Sequence, residues 1–182
     1  MKKIGILFTL IILPFICQSK LKIPFISSSS KIEVSVDSFT GETSIISEWQ
    51  DVSEKKLWIK LEYKNDKEFI ELRYISGEQL NITPDNPLMI QAGNSVGNFI
   101  PTETYKSAIG GGAVNGNGEG IWGINATYEG SLSCFNNEVT AIRVSTVEGN
   151  KDFKLSKNVT KNLKKVYESF LIELEKVKKD NN

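Results

Sequence analysis

The stretch AIGGGAVNGNGEGIW, residues 108–122, is rich enough in glycine to raise the question of phosphate binding. A P-loop places Lys and then Ser or Thr after its last glycine, and a dinucleotide fingerprint leads from a strand through glycines into a helix. No lysine follows any of these glycines before Trp122, and the residues after Gly120 alternate as a strand does. Nucleotide chemistry is therefore excluded at this stretch. It is expected to be a long, permissive surface connection from about Gly110 to Gly120, important only if it closes over a neighbouring face.

A second group combines aromatic and charged side chains. Trp58 shares its expected strand face with Lys60, Glu62, Phe69, Glu71 and Arg73. A tryptophan beside an arginine can stack on a sugar or anchor a protein partner. Trp58, Arg73 and Phe69, together with Trp122, are the candidate ligand-binding residues. The competing reading is that a second layer or the glycine segment covers Trp58, since large aromatics are usually buried.

Carboxylates could act as acid and base without histidine, as they do in glycoside hydrolysis. Asp37, Glu42, Glu71 and Asp85 stand nearest turns or strand ends, but no spacing selects a pair, so turn formation or surface charge is the simpler role. Cys134, between Ser133 and Phe135, has no basic neighbour in sequence to activate it and reads as a small core residue. The chain contains 0 histidines, which removes His-based metal sites and the Ser-His-Asp and Cys-His nucleophiles. No catalytic residue, metal or cofactor is assigned. Asn81, Asn125 and Asn158 match the N-glycosylation pattern, which a bacterial type of leader would leave idle.

The elements that must position these groups follow from periodicity. Residues 57–75, LWIKLEYKNDKEFIELRYI, form two alternating runs around Asn65 and Asp66. A two-residue turn there pairs Leu61 with Ile70, Ile59 with Leu72 and Leu57 with Tyr74 on one face. The other face then pairs Glu62 with Phe69, Lys60 with Glu71 and Trp58 with Arg73, and a one-residue slip would destroy this sorting. Ile32, Val34 and Val36 mark a first strand, DSFTGE a turn in which Asp37 and Ser38 can bond their own backbone and Gly41 can take positive φ, and residues 43–49 a second strand.

Further along, NITPDNP is a turn, LMIQA a short strand, IWGINATYE and EVTAIRVSTVEG two more strands, and GSLSCFNN a single helical turn. From Lys157 the period changes: Val159, Leu163, Val166, Phe170, Leu174 and Val177 form one stripe of an amphipathic helix, with Ser156 or Asn158 as its cap. Its apolar stripe matches the unsatisfied strand faces, so it is expected to cover the sheet rather than a membrane. The fold class is α+β, mainly β: an antiparallel sheet, bent or sandwich-like, with one C-terminal helix packed on it.

The chain opens MKKIGILFTLIILPFICQSK, a basic start followed by an apolar run too short for a comfortable membrane span. Residues 1–19 read as a signal peptide, 20–30 as a tether, and 31–179 as a single domain. Cleavage after Ser19 and acylation of Cys17 are the two principal exits; an uncleaved anchor is the third. Each places the domain outside the cytoplasm, in the periplasm, at the outer membrane or beyond the cell. With 22 Lys+Arg against 22 Asp+Glu the chain is neutral, which argues against nucleic acid. Membrane contact is expected only through the leader or a lipid at Cys17.

VDSFTGET, GGGA before a glycine-spaced strand, and EVTAIRVSTVEG ahead of a terminal helix together resemble a group of small secreted or lipid-anchored proteins of Bacteroidota. The resemblance covers most of residues 31–170 and implies an exported domain with no assigned activity, so no functional residue is carried over. The sequence departs from a good lipobox at Phe15 and Ile16. The expected function is a non-catalytic envelope or secreted domain that binds a protein, glycan or small ligand. The alternatives are a carboxylate-based glycan hydrolase and an envelope inhibitor or assembly factor.

Overall fold

The computed structural model describes residues 31–114 and 120–180. The leader, Cys17 and the tether lie outside the described residues, as do residues 115–119 of the glycine-rich stretch.

Thirteen strands precede one long helix: β1 (Ile32–Val36), β2 (Thr43–Ser47), β3 (Gln50–Ser53), β4 (Leu57–Lys64), β5 (Lys67–Ser76), β6 (Asn81–Ile82), β7 (Leu88–Ala92), β8 (Ser95–Pro101), β9 (Tyr105–Lys106), β10 (Ala108–Val114), β11 (Gly120–Glu129), β12 (Val139–Thr146), β13 (Gly149–Lys154) and α1 (Lys157–Asp180). A 3-10 turn, Leu132–Asn136, falls between β11 and β12. The main sheet runs β1-β2-β4-β5-β11-β8-β7-β12-β13, with β3 beside β4 and β10 beside β11, and every pairing is antiparallel. β6 and β9 pair separately.

The central hairpin has the register that its alternation predicts, from Leu57↔Tyr74 to Lys64↔Lys67. Asn65 and Asp66 both take positive φ, 53° and 60°. Those angles make a mirror-image turn whose twist matches the flanking strands. Tyr63 fixes the turn by donating from Oη to Asp66 Oδ1 at 2.6 Å. That bond, followed by burial, raises the Tyr63 phenol to about 12.

Leu57, Ile59, Leu61, Ile70 and Leu72 are buried and join Phe99, Ile142, Val144, Val166 and Phe170 in one core. Among the described residues the halves of the sheet meet along a short ladder, Tyr128↔Pro101 and Glu129↔Ile100, continued by Thr102 N donating to the Thr127 carbonyl. A shared core rather than a long ladder therefore unites them. α1 closes that core, lying against β1, β2 and β3 in one half and β12 and the 3-10 turn in the other. Ser156 begins it, with Oγ accepting from Val159 N, and Thr160 Oγ1 donates to the Val139 carbonyl at 2.8 Å. Among the described residues no helix is long and apolar enough to cross a membrane.

Two expectations change, and two strands appear that no expectation covered. The second strand ends at Ser47 and a separate β3 follows, so residues 43–49 are not one regular strand. Residues 108–114 of the glycine-rich stretch are strand, anchored by Ala108↔Gly123 and Ile109↔Trp122. A ladder needs only backbone amides, so glycine weakens a strand without forbidding it. β8 and β13, which carry little alternation of their own, complete hairpins with β7 and β12.

Candidate functional site

The outward face of β4, β5 and β11 carries the candidate cluster. Trp58 stands directly across from Arg73, and Lys60 across from Glu71. Lys60 Nζ reaches Glu71 Oε1 at 2.8 Å, and both side chains are mostly sheltered. Arg73 Nε donates to Asn125 Oδ1 at 3.2 Å, which ties β5 to β11. Beside these strands lie their in-plane neighbours β2, β3, β8 and β10, while α1 packs on the opposite, inner side.

Trp49, which the sequence reading passed over, completes the cluster. Its ring lies 4.8 Å from the Arg73 guanidinium carbon and 5.2 Å from Lys60 Nζ. A bulge puts it there. β2 pairs with β4 in the register Ile46↔Glu62, whereas β3 pairs as Gln50↔Ile59, one residue out of step. Without the extra residue Trp49 would stand opposite Ile59 on the core face; with it, Trp49 stands opposite Lys60. Ser47 marks the irregularity, since its Oγ accepts from Leu61 N at 2.9 Å and donates to the Glu48 carbonyl. A serine in step with Ile45 on the core face, two residues before a tryptophan, is the signal that could have revealed it.

Phe69 shares this face but stands across from Glu62, four residues along the strand from Arg73 and so about 14 Å away. Trp122 is not brought to the site. It pairs with Ser76 in step with Ile124, Ala126 and Tyr128, whose side chains are buried on the inner face. The period of two that makes those residues core also carries Trp122 inward. β10 lies in the plane beside β11, so residues 108–114 extend the sheet rather than cross over Trp58.

The carboxylates divide by role. Asp37 accepts from the backbone of Phe39 and Thr40, and those bonds hold its carboxyl below the ordinary range. It is a turn former. Asp85 is exposed in the turn that Asn86 N closes onto the Thr83 carbonyl. Glu68, not singled out from sequence, accepts from Leu132 N at 2.8 Å and pins the 3-10 turn. Cys134 in that turn is buried, and burial pushes its thiol up to about 11, so it stays protonated at neutral pH.

Glu62 and Glu71 do sit together. Burial raises the Glu62 carboxyl above its usual value, and hydrogen bonding to Glu71 and its charge add to the shift, against Lys60 and Lys64. A carboxyl with a raised folded-state value contributes stability below its unfolded value, near 4.5, and loses it as pH climbs through the folded value. Glu62→Gln should therefore flatten the fall in stability above about pH 4.5. At pH 7 it should add about 0.2–1 kcal/mol by removing a like-charge neighbour. Thermal melts across that range check this, and a variant with the wild-type slope would contradict it.

Two open depressions occur elsewhere. One lies between Gln50 and Asp51 and the helix residues Asn158, Val159, Asn162 and Leu163, and the other beside the β4–β5 turn near Tyr63 and Lys178. Neither is lined by Trp49, Trp58 or Arg73. Among the described residues no group of three or more Cys, Asp or Glu is placed to hold a metal ion. No family model, curated protein or solved structure matches the chain.

Proposed function

We propose that the chain is an exported, non-catalytic domain that binds a protein partner through the outward face of β4, β5 and β11. The observation that carries this reading is the packing of Arg73 and Lys60 against Trp49, with Trp58 directly across from Arg73. Tryptophan and arginine anchor protein interfaces disproportionately, because each removes a large area from water while keeping a polar handle. Export is supported by the leader sequence, and the turn and strand patterns that resemble the Bacteroidota envelope proteins are consistent with it.

The hydrolase alternative is less well supported, because the carboxylates named for it have other roles: Asp37 forms a turn, Asp85 is exposed in another, and Glu71 pairs with Lys60.

A photoreactive residue at position 60, compared with one at position 154 on β13, tests the reading in envelope extracts. One discrete adduct is expected from position 60 and none from position 154. Trp58→Ala with Arg73→Ala should weaken capture at least about 30-fold, as for loss of a 2 kcal/mol anchor. Equal labelling from both positions, or capture indifferent to the double variant, would refute the proposal.

A further inference from the structure

Among the described residues the path of the main sheet ends at β1 and at β13, and β3 and β10 also pair on one side only. Natural edge strands discourage pairing with lysines, prolines, bulges or strong twist. β13 is guarded in this way, with Lys151, Asp152 and Lys154 along six residues. β1, IEVSV, has no lysine, proline or glycine, and its five residues pair with β2 without a bulge. Val34 and Val36 on it are 40% and 64% exposed.

The ladder shows which amides of β1 face outward. Glu48 N donates to the Lys31 carbonyl, and Asp37 N donates to the Glu42 carbonyl, at the two ends of the β1–β2 pairing. In an antiparallel pair the bonded residues alternate, so positions 31, 33, 35 and 37 spend their backbone groups on β2. Ile32, Val34 and Val36 point theirs away from the sheet, where no described strand receives them.

We infer that β1 is a self-pairing edge that joins two copies of this chain in antiparallel register about a two-fold axis at Val34. Centred there, Ile32 stands opposite Val36 of the other copy and Val34 opposite itself. All three outward-facing residues in each strand then exchange both of their backbone bonds, and their apolar side chains meet on one face. On the other face Glu33 meets Ser35, and Lys31 meets Asp37, its charge complement. Neighbouring registers lack this self-complementarity. An axis at Glu33 sets Glu33 against Glu33, and an axis at Ser35 sets Glu33 against Asp37; like charges directly opposite destabilise a pair. The match of charge in one two-fold register favours a second copy over an unrelated strand as the occupant.

Sedimentation equilibrium of the full chain, at concentrations from about 5 to 500 µM, reads the association directly. A concentration-dependent dimer is expected. Val34→Lys sets two lysines on the axis, and Ser35→Glu sets Glu33 against a new acid at two symmetric places. Each should weaken the dimer at least about tenfold, with thermal melts matching wild type to show that the fold is intact. Val34→Cys in a Cys17→Ser background should oxidise readily to a covalent dimer, since opposed residues in such a ladder lie about 5.5 Å apart at Cα. Cys134 is buried and does not compete. A wild-type chain that stays monomeric throughout overturns the proposal. So does a dimer that survives both charge variants, or a Val34→Cys chain that cross-links no faster than Val96→Cys, a control at an exposed site on β8.

Discussion

Phe170→Ala is expected to cost about 3–5 kcal/mol, the usual range for deleting a buried phenylalanine. Phe170 is fully buried, on the stripe that also carries Leu163, Val166 and Leu174. One turn earlier, the Tyr167 ring tilts against Phe135 with centroids 5.7 Å apart. α1 covers both halves of the sheet, which a short ladder between β8 and β11 joins. A cavity at Phe170 therefore loosens the contact that unites the halves, and relaxation there is resisted from both sides. Thermal or denaturant unfolding measures the loss. For a domain of this size it corresponds to a fall in Tm of about 6–20 °C. Removing residues 159–177 altogether should leave no soluble, cooperatively folding domain. A soluble truncated form with a sharp transition would show that the helix is an accessory to the core.

Gly130→Ala should destabilise by about 1–3 kcal/mol, from overpacking rather than from a cavity. A Cβ at Gly130 would lie 2.7 Å from Phe99 Cδ1 and 2.9 Å from the Asn98 carbonyl oxygen. Phe99 is itself fully buried, and the carbonyl belongs to the backbone of β8, so neither neighbour can yield cheaply. Gly130 also donates from its amide to the Glu68 carbonyl at 3.2 Å, just past Tyr128 and Glu129, where β11 lies between β5 and β8. The same substitution at Gly123, within β11, meets nothing within 4 Å. There the lower backbone entropy of alanine should add about 0.5 kcal/mol. Opposite signs for the two variants in paired melts are the expected result. Similar effects at both positions would mean that the Phe99 contact does not constrain the join.

The legible part of the fold was legible for identifiable reasons. The β4–β5 hairpin combines two alternating faces with an Asn-Asp pair that tolerates positive φ, so local chemistry and long-range pairing specify the same register. α1 carries a long stripe with a serine cap, and the turn at Asp37 needs only its own side chain and a glycine. The elements that escaped notice lack such agreement. β8 and β13 are strands because β7 and β12 offer them ladders, and residues 108–114 are strand because β11 does the same. Trp58 and Arg73 were legible as a pair because both lie inside the well-specified hairpin. The period of two groups Trp122 with Ile124, Ala126 and Tyr128, but it does not say which side of β11 meets the core, so only the structure shows that Trp122 stands away from Trp58.

From the sequence alone came the antiparallel α+β class, the central hairpin with its sorted faces, and the helix that closes the core. These depend on period and turn chemistry, which act over a few residues at a time. Only the tertiary structure decided that a one-residue bulge after Ser47 turns Trp49 outward to Arg73 and Lys60, and that β1 is left as an open edge. Side-chain alternation is a parity, and one extra residue reverses it for everything beyond. Which strand remains an edge depends on the pairing order of the whole sheet, a property that no single segment carries.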